Sequence, residues 1–218
     1  MLFYNVWPDR GDLQSVQAGL DILRRHPWFA EEIAEVMAFA VARSRAVFAA
    51  PCGRLAATPL QVHATYRKDE LLAAIGIGHN FSEPRTPGQI REGVAYSREL
   101  GVDALMVQLK KTNAQFSEAT MYQDYAISES LFHWQTQNST SPESPVGRRY
   151  TGQSDSDSDI SLFVRVSNTD DYGKGAPYTF LGLANFVQAS GSKPMSITWE
   201  LHDPMPPELY LEARAVAS

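Results

Sequence analysis

Apolar positions in the first fifty residues recur every three to four places, the spacing that turns one side of a helix toward a core. Asp12 stands as a cap before Leu13, Val16, Leu20 and Leu23, and His26-Pro27 ends that segment. Residues 28–48 continue with Ile33, Val36, Met37, Ala40 and Val41 on one side. Glu31, Glu32 and Glu35 lie in the first turns, where the helix dipole favours acids. The two segments predict a helical hairpin. Pro51-Cys52-Gly53 through Thr58-Pro59 is dense in breakers and marks a boundary. This gives a helical appendage or linker over 1–58 and a second part over 59–218.

Past the boundary the period changes from helical to alternating. Residues 60–66 read as a short strand, and 70–75 as a short helix closed by Gly76. Strands are predicted over 103–109, 130–137, 160–166, 178–188 and 195–201, separated by turn residues. The stretch 136–159 is rich in Ser, Thr, Pro, Gly and Asp and predicts a mobile surface loop. The expected fold class is α+β: a small, mostly antiparallel β-barrel with an N-terminal helical hairpin.

Composition narrows the class. Hydrophobic residues make up 44% of the 218 and charged residues 20%, the balance of a folded globular chain. One cysteine, Cys52, excludes an internal disulfide framework and a cysteine-based zinc site; beside Pro51 and Gly53 it reads as a small loop residue. The most apolar stretch, 38–50, is broken by Arg43 and Arg45 and falls short of the roughly 20 residues a bilayer needs. The N-terminus lacks the charged start and small-residue cleavage site of a secretory signal, so the expected location is the cytoplasm. The net charge of −6 argues against indiscriminate binding to a phosphate backbone. Residues 154–218, with nine acids and four bases, hold −5 of it, which leaves the middle of the chain near neutral.

The densest polar and aromatic cluster is 116–137, holding Tyr122, Asp124, Tyr125, His133, Trp134 and Gln135. On a strand, His133 and Gln135 face one way and Phe132 and Trp134 the other. Aromatic planes beside a few hydrogen-bonding groups suit an exposed base; the same residues also suit a core with a structural His133–Asp124 pair. Lys110, Arg148 and Arg149 are the bases placed to meet phosphate, with Lys111, Arg165, Lys174 and Lys193 as further candidates. Gln108-Leu109-Lys110 at a strand end is similar to the last part of a metal-dependent nuclease pattern, for which Glu92 or Asp103 would supply the carboxylate. No pair of histidines has helical zinc spacing and no phosphate loop occurs, so neither a metal nor a nucleotide cofactor is expected. Asp155, Asp157 and Asp159 alternate with Ser and read as a solvated acidic loop.

Five segments carry a resemblance: PLQVHATYRKDELLAAIG (59–76), FSEATMYQDYAISESLFHWQTQNST (116–140), VGRRY (146–150), LFVRV (162–166) and YTFLGLANFVQASGSKPMSITWELHDPMP (178–206). Together they resemble a bacterial domain of unknown function at the C-terminus of large DEAD/DEAH-type superfamily II helicases, often with a phospholipase-D-like nuclease. Residues 1–50 resemble the helical stretch joining motor to domain. The closing segment is similar to PUA-like barrels, the group holding the SRA and EVE readers of modified bases. This company implies defence or repair work on DNA and reading of a flipped base.

Three functions follow as expectations. The first is a DNA-recognition module for duplex, modified or flipped bases: Trp134 or Tyr125 stacks, Asp124 and His133 bond a base edge, and Lys110, Arg148 and Arg149 hold phosphate. The second is a docking domain for a helicase motor, with the cluster as core. The third is a metal-dependent nuclease. A reader needs Trp134 and Asp124 lining an open pocket; a docking module buries them.

Overall fold

A computed structural model describes residues 6–7, 13–43, 49–77, 93–110, 124–153 and 158–215. The chain divides into two compact units, one of residues 1–48 with 79–86, the other of 49–78 with 87–218.

In the first unit, α1 (Val16–Arg25) starts at Ser15, whose hydroxyl accepts from the Ala18 N–H at 3.0 Å. Asp12, the expected cap, lies outside the described residues. His26 alone separates α1 from α2 (Pro27–Arg43), and the two helices touch, while Val36, Met37, Phe39 and Val41 of α2 are exposed. Pro27 at the first helical position needs no intrahelical N–H partner, so the same dipeptide that ends α1 begins α2. Neither helix is long and apolar enough to cross a membrane, nor is any other among the described residues.

Among the described residues the second unit is built on eight strands. They are β1 (Thr65–Tyr66), β2 (Val94–Ser97), β3 (Val102–Gln108), β4 (Tyr125–Ala126), β5 (Leu131–Gln135), β6 (Asp159–Arg165), β7 (Tyr178–Ser190) and β8 (Ser196–Leu201). Their order across the sheet is β2-β3-β6-β7-β8-β5-β4, with β1 added to β7. The pairs are antiparallel except β3 with β6. The fold is thus mixed α+β, and the expected barrel is corrected to an open sheet. Among the described residues β2 and β4 end the order at opposite edges, and no pairing joins them. Alternation specifies which face a strand buries but says nothing about which strand it neighbours.

Among the described residues three short α-helices accompany the sheet: α3 (Lys68–Ala74), α4 (Pro145–Tyr150) and α5 (Pro207–Ala215). Helix α4 corrects the expected loop over 136–159. Ser144 caps it by accepting from the Gly147 N–H at 3.0 Å, and Pro145 opens it. One face of the sheet carries a core of Leu105, Val107, Phe132, Trp134, Leu162 and Trp199, joined by Tyr150 of α4 and Ala213 of α5. On the other face Phe163 and Phe180 stack at 4.7 Å, and the segment read as a linker lies against the sheet where Gly53 meets Asp159 and Leu183. Leu55 and Leu60 are fully buried. Gly182, beside Val62, stands at φ +85°, a conformation that side-chain-bearing residues rarely adopt. Only the last two residues of the predicted strand 60–66 pair as a strand, because His63 turns to φ +67°.

Candidate functional site

Strand β5 sorts the expected cluster by alternation. Phe132 and Trp134 turn into the core, where Trp134 is 5% exposed and meets Tyr150 edge-on at 5.4 Å and Trp199 at 6.4 Å. His133 and Gln135 take the opposite face and are half-buried. Tyr125, opposite His133 in the β4–β5 register, stacks on its imidazole with centroids 4.6 Å apart and planes 14° from parallel. Gln135 donates from Nε2 to Ser196 Oγ at 3.4 Å, and its backbone N–H donates to Asp124 Oδ1 at 3.0 Å. That carboxylate is 5% exposed and braces the end of β5.

The six clustered residues therefore part company. Tyr125, His133 and Gln135 share a partly open face; Trp134 and Asp124 face inward; Tyr122 lies outside the described residues. The stacking and base-edge roles expected of Trp134 and Asp124 call for an open pocket, and both are buried instead. A two-residue side-chain period forces this once Phe132 enters the core.

The bases divide as well. Arg148 is exposed on α4. Lys110 pairs with Glu212 of α5 at 2.6 Å, at a surface where such pairs are weak and exchangeable. Arg149 points inward: Nε and Nη2 donate to the two oxygens of Asp103 at 2.6 and 2.9 Å, and the guanidinium lies 4.1 Å over the Tyr96 ring. The Asp103 hydrogen bonds hold Arg149 above its ordinary value, so it stays a cation. Burial pushes the neighbouring Tyr150 phenol up, the Asp103 charge pushes further, and Arg149 opposes them.

The residues of the nuclease reading have separate partners. Gln108 Oε1 accepts from Arg165 Nη2 at 3.0 Å and its Nε2 donates to the Lys110 carbonyl at 2.9 Å, while Asp103 is taken by Arg149 and Ser158. Glu92 lies outside the described residues. Among the described residues no three His, Cys, Asp or Glu side chains gather as a metal site.

Sequence reasoning passed over a pocket of about 250 Å³ formed by the start of β6, the middle of β7, the end of β8 and α4. Arg149, Asp159 and His202 give it polar walls, and Tyr150, Phe186 and Trp199 aromatic ones. At its margin His202, just after β8, accepts or donates at 3.4 Å with the Cys52 sulfur through Nδ1 and contacts Asn185 Oδ1 at 3.0 Å through Nε2. Cys52 and His202 are 150 positions apart, so no local spacing announces them. Asp159, read as part of a solvated acidic loop, instead accepts from the Arg54 N–H at 3.1 Å and pairs with the Arg54 side chain.

Comparison with curated proteins and with solved structures gave no match to the chain. A family model described as a domain of unknown function, DUF3427, matches residues 60–213. That span takes in every strand, both aromatic faces and the Asp103–Arg149 pair, and on it the chain belongs to the DUF3427 family.

Proposed function

We propose that the β-rich unit is a DNA-recognition module working beside a helicase motor, in the same polypeptide or complex, and that a modified or flipped base is its special ligand. The observation that carries this reading is the half-buried Tyr125–His133 stack on the face that also presents Gln135. A planar pair with an amide beside it can extend its stack onto a base and bond the base edge. Tyr125 thus takes the stacking role, and exposed Arg148 supplies a phosphate contact. The resemblance of the family segments to helicase C-terminal domains supports the DNA partner.

The test is binding to plain and modified duplexes and to single strands. Tyr125→Ala is expected to weaken binding by about 1–3 kcal/mol, the range for loss of one base–aromatic stack. Arg148→Ala is expected to weaken all sequences alike and flatten the salt dependence. Unchanged affinity in a folded Tyr125→Ala protein overturns the reading.

A second reading, a domain that docks a helicase motor, is favoured by the burial of Trp134 and Asp124. It is distinguished by a chain that binds the motor and no DNA in the panel.

A further inference from the structure

We infer that Cys52, His202 and Asn185 form a nucleophilic site for acyl transfer, serving a small ester or amide whose acyl group enters the adjoining pocket. Each of the three comes from a different part of the fold: the loop before the turn Gly53–Leu55, the end of β8, and β7. The arrangement is directional. His202 Nε2 lies 3.0 Å from the Asn185 amide oxygen, an acceptor, so the imidazole carries its proton there. That leaves the Nδ1 lone pair facing the Cys52 thiol at 3.4 Å. Nucleophile, base and orienting amide are thus in series, the relation by which thiol acyltransfer sites are recognised whatever their order in sequence.

Two further observations set this apart from a chance contact. Cys52 is exposed, so a substrate can reach the sulfur. The pocket beside it is bounded by His202 and Asn185 themselves, so the base and its orienting amide stand at the wall that a substrate would meet. The thiol loop is also held against this pocket. Gly53, at φ +57°, sits so close to two pocket residues that a Cβ would come 2.8 Å from Asp159 Oδ2 and 2.9 Å from Leu183 Cδ1.

The chemistry closes on itself. His202 Nδ1 takes the thiol proton while Sγ attacks the carbonyl carbon, forming a C–S bond and placing the carbonyl electrons on oxygen. When these return, the bond to the leaving oxygen or nitrogen breaks, and the imidazolium supplies its proton. Water then attacks the thioester, gives a proton to His202 and releases the acid, and the proton returns to sulfur. Asn185 is a positioning residue: it fixes the ring without touching the reacting atoms. The pocket volume favours a compact acyl group, for which Phe186 offers an apolar wall and Arg149 and Asp159 polar ones.

The experiment uses the full chain and p-nitrophenyl acetate at one near-neutral pH, following p-nitrophenolate release and the intact mass after acid quenching. The expected result is one acetyl group on Cys52, with release continuing beyond one equivalent. Cys52→Ala abolishes it; His202→Gln slows acetylation by about 10²–10⁴-fold, the usual contribution of a general base. Asn185→Ala lowers the rate roughly tenfold through lost orientation of the ring, with the Cys52 adduct still the one formed. Acetylation as fast in folded His202→Gln as in the parent overturns the inference. So does a parent chain that stops at one equivalent or carries no adduct on Cys52, an outcome that needs no variant to fold.

Discussion

The Asp103 carboxylate on β3 and the Arg149 guanidinium on α4 meet through two parallel hydrogen bonds across 46 residues of sequence, and the Asp103 side chain is fully buried. Ser158 adds a third hydrogen bond to the same carboxylate at 2.8 Å. The pair adds to the packing of α4 on the sheet, where Tyr150 meets Trp134 and Trp199 and Val146 joins the core.

Removing one partner strands the other charge. Arg149→Met is expected to cost about 3–5 kcal/mol, as is typical of breaking a buried pair. Asp103→Leu with Arg149→Met is expected to cost clearly less than the two single changes together, because neither charge is then left alone. Urea unfolding of the four proteins measures the coupling. Additive losses would show that the contact carries no special weight.

Trp134→Ala is expected to lower stability by about 3–5 kcal/mol, the cost of deleting a core tryptophan. Tyr125→Ala, on the open face of the same strand pair, is expected to cost far less. Thermal melts of the two variants separate packing from recognition. A Trp134→Ala protein as stable as the parent would return that ring to the list of ligand contacts.

The buried phenols make the fold sensitive to alkali. Burial raises Tyr150 above its ordinary 10.0, and Tyr178 is raised likewise by burial, with Arg165 opposing. A phenol whose value is higher folded than unfolded contributes stability that is complete below the unfolded value. That stability is lost as pH rises from about 10 toward the folded value. The melting temperature is therefore expected to fall steeply above pH 10. Tyr150→Phe is expected to flatten that decline while changing little at pH 7. A decline of equal slope in Tyr150→Phe would assign it to other groups.

Much of the sheet was legible because its strands alternate. The predicted 103–109 and 160–166 are shifted by one residue at each end from β3 and β6, and 195–201 begins one residue ahead of β8. Strands β2 and β4, with four and two residues, are too short for a period to register, and α4 has six. For α4 the Ser144-Pro145 start is a capping signal, and the reading of 136–159 from its Ser, Thr and Gly content did not use it. The candidate site was legible only as far as alternation reaches. His133 and Gln135 were correctly set apart from Trp134, while which of the two faces would be core depended on the partner across β8. The Arg149–Asp103 and Cys52–His202 contacts join distant segments, and nothing in either neighbourhood encodes its partner.

During synthesis the two strands at the middle of this sheet leave the ribosome last. Strands β3 and β6 can form one half and β4 and β5 the other, yet β7 and β8, which sit between those halves, span only residues 178–201. Until they emerge, β6 and β5 each present an open edge, and the two are neighbours in sequence. Unpaired edges of this kind are templates for wrong pairing within a chain or between chains. The pairings that end the exposure are distant, such as Tyr66 with Tyr178 and Gln135 with Ser196, so assembly is slow in the manner of non-local sheets. The interval before β8 is complete is thus when a nascent chain most needs a chaperone, and a truncation ahead of residue 178 would leave two sticky half-sheets in place of a smaller domain.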